Sequence, residues 1–286
     1  MMRGMQNDFS RPLAVMAIVN RTPDSFYDKG KTFALDAAVA AGAAAFEAGA
    51  TIVDVGGVKF APGPAVAIED EIALVVPVVR ELALLGDVSV DTFHPAVARA
   101  AIEAGAAIIN DTTGLRDPQM ADVVADSEAR IVIAHSLATP RTQHPLPHYD
   151  DVTAEVGAFL RQRSDLALER GIPAERIIID PGHDLNKNTL QTLEITRRLD
   201  EIAAIGFPLL VALSNKDFIG EALGRERDQR VAGSLAAAVF CVLHGASIVR
   251  AHNVPETVDA LRMVESILGW RVPENLVHNM RAEGND

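Results

Sequence analysis

The 286-residue chain holds a single cysteine, Cys241. It can form no internal disulfide, and within the apolar stretch LAAAVFCVL it reads as a small buried hydrophobe rather than a catalytic thiol. That stretch runs nine residues before His244, too short to cross a bilayer. Aromatic residues are scarce at 5%, so Ala, Val, Leu and Ile must supply the core, as suits packed helix–sheet layers. Basic side chains are outnumbered by acidic ones, 26 to 39, giving a net charge of −13. This argues against nucleic acid as the main partner, because phosphate backbones need a basic face. A small anionic substrate stays compatible, since it needs only a local cluster of cations. The opening segment, MMRGMQNDFSRP, is polar and has no apolar secretory core. The expectation is a cytoplasmic protein with no membrane partner.

What the chain does have is a series of short apolar runs that end abruptly in polar or charged residues. VMAIVN stops at Asn20, TIVDVGG carries Asp54, and VSVD ends at Asp91. AIIND gives Asn110 and Asp111, IVIAH gives His135, and IIID gives Asp180. LLVALSNK reaches Lys216, and IVRAH supplies Arg250 and His252. Runs of this kind read as strands buried on both faces, as in a parallel sheet covered by helices. Six helical segments end in glycine just before a strand: Gly49, Gly86, Gly105, Gly171, Gly206 and Gly245. Glycine there closes a helix in the left-handed conformation without a Cβ penalty.

Strands are expected near 14–19, 51–55, 87–91, 107–110, 130–135, 176–180, 208–213 and 247–251. Helices are expected near 34–48, 68–84, 94–104, 118–126, 151–170, 189–204, 228–244 and 255–267. Eight alternating βα units in about 250 residues predict an α/β protein with a single (β/α)8 TIM barrel, whose chemistry gathers at the carboxyl ends of the strands. A doubly wound open sheet is the alternative. The barrel should occupy 13–272, with an N-terminal extension at 1–12 and a C-terminal tail at 273–286.

Residue by residue, bland readings compete with functional ones. Asp91 before Thr92 suits a helix cap. Lys216 suits a solvated loop lysine, His252 a surface histidine, and His135 a structural group bonded to a neighbouring strand end. The first βα loop, NRTPDSFYDKG (20–30), is long for such a connection, and long loops in compact domains are often functional.

MAIVNRTPDSFYDKG (16–30) resembles the first signature of the dihydropteroate synthase family, which reads close to MGILNVTPDSFSDGG. DVGG (54–57), VSVDTFHPAVARAAIEAGAAIINDTTGL (88–115), IVIAH (131–135), TPRTQ (139–143), IIIDPG (177–182), ALSNKDFIG (212–220) and VRAHNV (249–254) continue in family order. The resemblance covers nearly the whole chain and implies a pterin-binding TIM barrel. It implies a transferase of folate biosynthesis that condenses a dihydropterin-methyl diphosphate with 4-aminobenzoate and releases pyrophosphate. It matches Asp91, Asn110, Asp180 and Lys216 to the pterin, with Asp91, Asp180 and Lys216 as the catalytic set. It matches Asn20, Arg250 and His252 to the diphosphate, with Asn20 at a Mg²⁺ ion. The family's dimeric habit, together with the nearly all-apolar segment VAGSLAAAVFCVLH (231–244), implies a homodimer.

The second loop departs from the family. Where E-S-T-R-P-G follows DVGG, this chain has Val58-Lys59-Phe60-Ala61-Pro62-Gly63, so Phe60 and Ala61 replace a Thr and an Arg that hold diphosphate and benzoate. An arginine fork binds oxyanions in a way alanine cannot replace. Further changes are Arg21 in the first loop, Ser136 in place of a methionine, HDLNK in the sixth loop in place of GFGK, and Asn215 and Asp217 in place of Arg and Ser. In one reading Arg21 and Lys59 supply the missing cation and condensation proceeds. In another the chain is a divergent paralogue that binds a pterin without the ordinary reaction. A methyltetrahydrofolate-type pterin-binding module is a third; Arg250, His252 and TPDSF (22–26) speak against it because that chemistry needs no diphosphate site.

Overall fold

A computed structural model describes residues 13–21 and 34–278. The expected N-terminal extension, most of the first loop and the end of the tail lie outside the described residues. The strands are β1 (Ala14–Asn20), β2 (Ile52–Gly56), β3 (Asp87–Asp91), β4 (Ile108–Asp111), β5 (Arg130–Ala134), β6 (Ile177–Asp180), β7 (Leu210–Ala212) and β8 (Ile248–Ala251). All their pairings are parallel. The order β6-β5-β4-β3-β2-β1-β8-β7 closes on itself through a parallel bridge between Ile179 and Leu209. The expected TIM barrel is therefore the fold.

Between the strands run α1 (Leu35–Glu47), α2 (Ile68–Leu82), α3 (Pro95–Glu103), α4 (Pro118–Ala125), α5 (Val152–Glu169), α6 (Thr189–Arg197), α7 (Leu199–Ala203), α8 (Asp217–Leu223), α9 (Val231–Leu243) and α10 (Val254–Ile267). Two features differ from expectation. The helix expected over 189–204 breaks at Arg198, which leaves helical geometry (φ −106°, ψ 28°). The short helix α8 begins directly after Lys216 and stops at Gly224 in the left-handed conformation, too few residues for periodicity to reveal it. Of the junction glycines, Gly86 is not left-handed; a Cβ there would press on the Phe46 ring, so close packing is what requires glycine.

Two apolar layers follow from the period of two along each strand. Outward residues such as Val53, Val90, Ile109, Ile131 and Ile179 join the helices in one continuous core. Inward residues Met16, Ile52, Ile108, Val132, Ile178, Leu210 and Ile248 plug the barrel's lower half. Two positions further along the same inward face stand Asp54 after Ile52, Asn110 after Ile108, Asp180 after Ile178 and Arg250 after Ile248. The alternation that fills the barrel floor thus delivers polar side chains to its mouth.

Candidate functional site

Contacts across the barrel connect strands that are not neighbours. Arg250 of β8 donates from Nε to Asp54 Oδ2 of β2 at 2.6 Å and from Nη2 to Asp91 Oδ2 of β3 at 3.1 Å. Asn110 Nδ2 of β4 donates to the same Asp54 oxygen at 3.2 Å. Asp54 is wholly buried, and among the described residues its Oδ1 has no hydrogen-bond partner; neither does Asn110 Oδ1. Burial pushes the Asp91 carboxyl up to about 7; Arg250 opposes this, and the charges of Asp54, Glu71 and Asp111 reinforce it. Asp91 therefore does not cap the next helix: His94 stands at that N-cap, and Thr92 Oγ1 accepts the His94 amide. Arg250 stays charged, since burial works against its cation but Asp54 and Asp91 overcome it.

Asp111 behaves differently from its neighbour Asn110. Its carboxylate accepts from Thr113 N (2.8 Å), Thr113 Oγ1 (2.6 Å) and Leu115 N (2.8 Å), shaping the loop after β4.

A second group surrounds β6. Asp180 Oδ1 accepts the Gly182 amide at 2.7 Å; burial raises the carboxyl, and Lys216 opposes it. Gly182 (φ 66°) lies so close to the His135 carbonyl that any Cβ would overlap it. Lys187 Nζ reaches His135 Nδ1 and the Gly182 carbonyl, each at 2.9 Å, and the Leu185 carbonyl at 3.2 Å. Burial lowers this lysine to about 7, with Asp180 opposing. His135 is neutral, pushed down to about 2 by burial and then by Lys187, and its ring stands edge-on to Phe159. The structural reading of His135 is the one its contacts support. Lys216 is no solvated loop lysine: Nζ donates to the His183 carbonyl, and burial lowers its pKa while Asp184 and Asp180 work against the shift.

Beside this group opens a cavity of about 270 Å³, lined by Asn20, Lys216, Asn215, Arg227, Asp184 and His252, among others. His252 is held by Ser214, whose Oγ lies 3.2 Å from both the backbone N and Nδ1. Of the residues expected at a diphosphate, Asn20 and His252 meet here, while Arg250 turns to the carboxylates of β2 and β3. Arg227 and Asp184 also line the cavity and were not singled out from sequence. Arg227 sits in the charged run RERDQR, where nothing separates a cavity arginine from a solvated one.

The two proposed substitute cations lie elsewhere. Arg21 Nη1 donates to the Leu74 carbonyl at 2.6 Å and to Ala73 at 3.3 Å. Pro77 within α2 has no N–H for the Ala73 carbonyl, so Arg21 satisfies an acceptor that the helix leaves open. Lys59 is half-buried on the second loop, without a hydrogen bond or ion pair among the described residues. Beneath that loop, Glu71 of α2 is wholly buried, and among the described residues neither carboxylate oxygen meets a partner of good geometry. Burial raises it to about 7, with the Thr92 hydroxyl drawing it back in part.

The sequence profile described as "Pterin binding enzyme" matches residues 16–252. The chain is 42% identical over 285 residues to a protein of Mycobacterium leprae (strain TN) named "Inactive dihydropteroate synthase 2", covering 94% of this chain and 97% of that one. It is 40% identical over 269 residues to the dihydropteroate synthase of Escherichia coli (strain K12), covering 93% and 95%. The solved dihydropteroate synthase of Xanthomonas albilineans with 4-aminobenzoic acid superposes with a TM-score of 0.84 at 42% identity, covering 92% of this chain and 95% of that one. The chain belongs to the pterin-binding enzyme family, as a dihydropteroate synthase-like barrel.

Proposed function

We propose that the chain binds a dihydropterin-methyl diphosphate at the barrel mouth and transfers its pterin-methylene group to the amine of 4-aminobenzoate, releasing pyrophosphate. The observation that carries this reading is the pair of buried acceptors without donors, Asp54 Oδ1 and Asn110 Oδ1, joined through Arg250 and Asp54 to Asp91. An unmet buried acceptor costs about 1–3 kcal/mol. The N–H edge of an aminopyrimidinone ring supplies the missing donors.

In the reaction the methylene C–O bond breaks, and its electron pair leaves with pyrophosphate. The amine nitrogen forms the new C–N bond and gives up one proton to solvent. Carboxylates of Asp91 and Asp180 stabilise the cationic methylene as it develops. Lys216, Arg227 and His252 face the leaving anion in the cavity. The donor set there fits a Mg²⁺ ion that arrives on the diphosphate: Asn20 offers one amide oxygen, and Mg²⁺ keeps phosphate and water oxygens for its other positions. Bound there, the ion would neutralise charge on the leaving group.

The second loop favours a second reading. Phe60 and Ala61 offer no side-chain donor where the resemblance places Thr and Arg, and similar relatives carry both active and inactive names. In that reading the pterin diphosphate binds and condensation does not follow. Pyrophosphate release, measured with and without 4-aminobenzoate beside calorimetric binding of the pterin diphosphate, separates the two. Release that requires 4-aminobenzoate supports transfer; binding without release supports the second reading; no binding overturns both.

We also propose a cytoplasmic setting for this function. The function suits a homodimer through α9 and α10, whose outer faces expose Phe240, Leu243, Met263 and Ile267. Among the described residues no helix is long and apolar enough to cross a membrane.

A further inference from the structure

The second loop has Phe60 and Ala61 where the resemblance places Thr and Arg, yet it is not left loose. Among the described residues, every hydrogen bond made by residues 58–66 runs to one residue, Arg141, in the loop after β5. The Arg141 guanidinium donates from Nη1 to the Ala61 carbonyl at 2.9 Å. Nε and Nη2 converge on the Pro64 carbonyl at 3.0 and 2.8 Å. Its own backbone completes the contact: Arg141 N donates to the Phe60 carbonyl at 3.2 Å, and the Gly63 amide donates to the Arg141 carbonyl at 3.3 Å. Arg141 adopts φ 63°, an uncommon conformation for a residue with a Cβ, and this aims both backbone groups at the second loop. Gly63 lies against the guanidinium so closely that a Cβ would overlap it. The Phe60 ring meets His144 of the same β5 loop, with centroids 5.1 Å apart.

The β5 loop is itself braced. Arg116, from the loop after β4, donates to the Ala138 carbonyl at 3.1 Å and to Thr139 Oγ1. Two guanidiniums therefore connect three loops of the barrel mouth, those after β4, β5 and β2, and the second loop is the last member of that series. Among the described residues neither arginine hydrogen-bonds Asp54, Asp91 or Asp180 or lines the cavity, so their place is in the loops that frame the site.

We propose that Arg141 is a positioning residue that fixes the second loop, and with it Lys59 and Phe60, as a set wall on the side of the mouth where the second substrate enters. The fork grips backbone carbonyls, so it holds the loop whatever its side chains are, which is what a loop reading VKFAPGP requires. The part of this inference that concerns the second substrate rests on the proposed function; the anchoring itself does not.

The test uses the full-length protein and two variants that attack the contact from opposite sides. Arg141→Ala removes the fork. Gly63→Ala keeps the arginine and displaces it, because the backbone at Gly63 accepts alanine and only the overlap with the guanidinium opposes it. Hydrogen exchange of amides 58–66 and chymotryptic cleavage after Phe60 should each accelerate by at least about tenfold in both variants, with exchange of the barrel strands unchanged. The affinity for 4-aminobenzoate, read as its KM at saturating pterin diphosphate or, where no turnover occurs, by calorimetry, should weaken by about tenfold in both, while the affinity for the pterin diphosphate alone holds. Unchanged exchange and cleavage in both variants would overturn the inference, as would weakened pterin binding equal to the loss for 4-aminobenzoate. A wild-type protein that binds no 4-aminobenzoate would instead count against the proposed reaction, and the exchange rates would still decide the anchor.

Discussion

Replacing Glu71 by glutamine should flatten the dependence of stability on pH. Glu71 is wholly buried under the second loop, and among the described residues its oxygens lack partners of good geometry. Its carboxyl is raised from 4.5 to about 7 by burial. In the unfolded chain the proton leaves near 4.5, whereas in the folded protein it stays until about 7. Between those values the native state binds more protons, so stability falls as pH rises through the window and levels off above it. At about 1.4 kcal/mol per pH unit, the cost of ionising Glu71 in place amounts to about 3 kcal/mol. Glutamine has nearly the same shape and does not titrate. The variant should therefore gain about 3 kcal/mol on the wild type between pH 4.5 and pH 8. Urea unfolding at half-unit pH steps measures this directly, because the other buried carboxyls titrate in both proteins and largely cancel. A second effect accompanies it. The charge of Glu71 helps to raise Asp91, so in the variant Asp91 should ionise at lower pH, and the pH profile of pterin binding should move down with it. Parallel stability curves for the two proteins would refute the reasoning, since they would mean that Glu71 ionises in the fold as it does in water.

Arg250→Ala leaves the wholly buried Asp54 and its neighbour Asp91 without their cation, and a loss of about 3–5 kcal/mol at neutral pH is expected in urea unfolding. Asn110→Ala removes an acceptor proposed to meet the pterin and a donor to Asp54; pterin affinity should drop by at least about tenfold in calorimetry while 4-aminobenzoate binding to the loaded protein changes less. If Arg21 and Lys59 compensate for the missing loop cation, Arg21→Ala and Lys59→Ala each abolish turnover, and wild-type-like turnover in both sinks that idea. Their stabilities should also part: Arg21→Ala removes the bonds to the Ala73 and Leu74 carbonyls beside Pro77 at a cost of about 0.5–1.5 kcal/mol, whereas Lys59→Ala leaves the unfolding midpoint unchanged.

The barrel was legible because its signals are local. Buried parallel strands need short apolar runs, and glycines at Gly49, Gly105, Gly171, Gly206 and Gly245 mark helix ends through a backbone conformation that other residues avoid. The inward face could be read as well, since period-two alternation carries Ile52 to Asp54 and Ile108 to Asn110. What a polar residue does once it arrives was not legible. Asn110 and Asp111 are adjacent in sequence, yet one crosses the barrel to Asp54 and the other holds the Thr113 and Leu115 amides. Such partners are set by pairings between residues far apart in the chain, as Arg250 and Asp54 are, and no window of sequence contains both. Arg141 escaped for the same reason. Its left-handed backbone and its grip on Ala61 and Pro64 depend on two loops meeting across the mouth.

The electrostatics of the mouth follow from how little water reaches it. With a net charge of −13 the chain as a whole repels a diphosphate, so any anion site must be built from a few cations whose charge is not already cancelled. Arg250 does not meet that condition, being held between two carboxylates. Lys187 does not either, since it is turned onto His135 and the carbonyls of the β6 loop. Lys216 and Arg227 line the cavity beside His252, and each has an acidic neighbour of its own, Asp184 for Lys216 and Asp217 for Arg227. The carboxylates of Asp184 and Asp217 reduce the net attraction of that wall for a bare diphosphate. A divalent cation on the diphosphate would reverse the sign of its interaction with both. Catalysis at this mouth should therefore depend more steeply on Mg²⁺ than on added monovalent salt. Asp184→Gly should relax that dependence, and equal Mg²⁺ dependence in the variant and the wild type would show that Asp184 does not face the substrate.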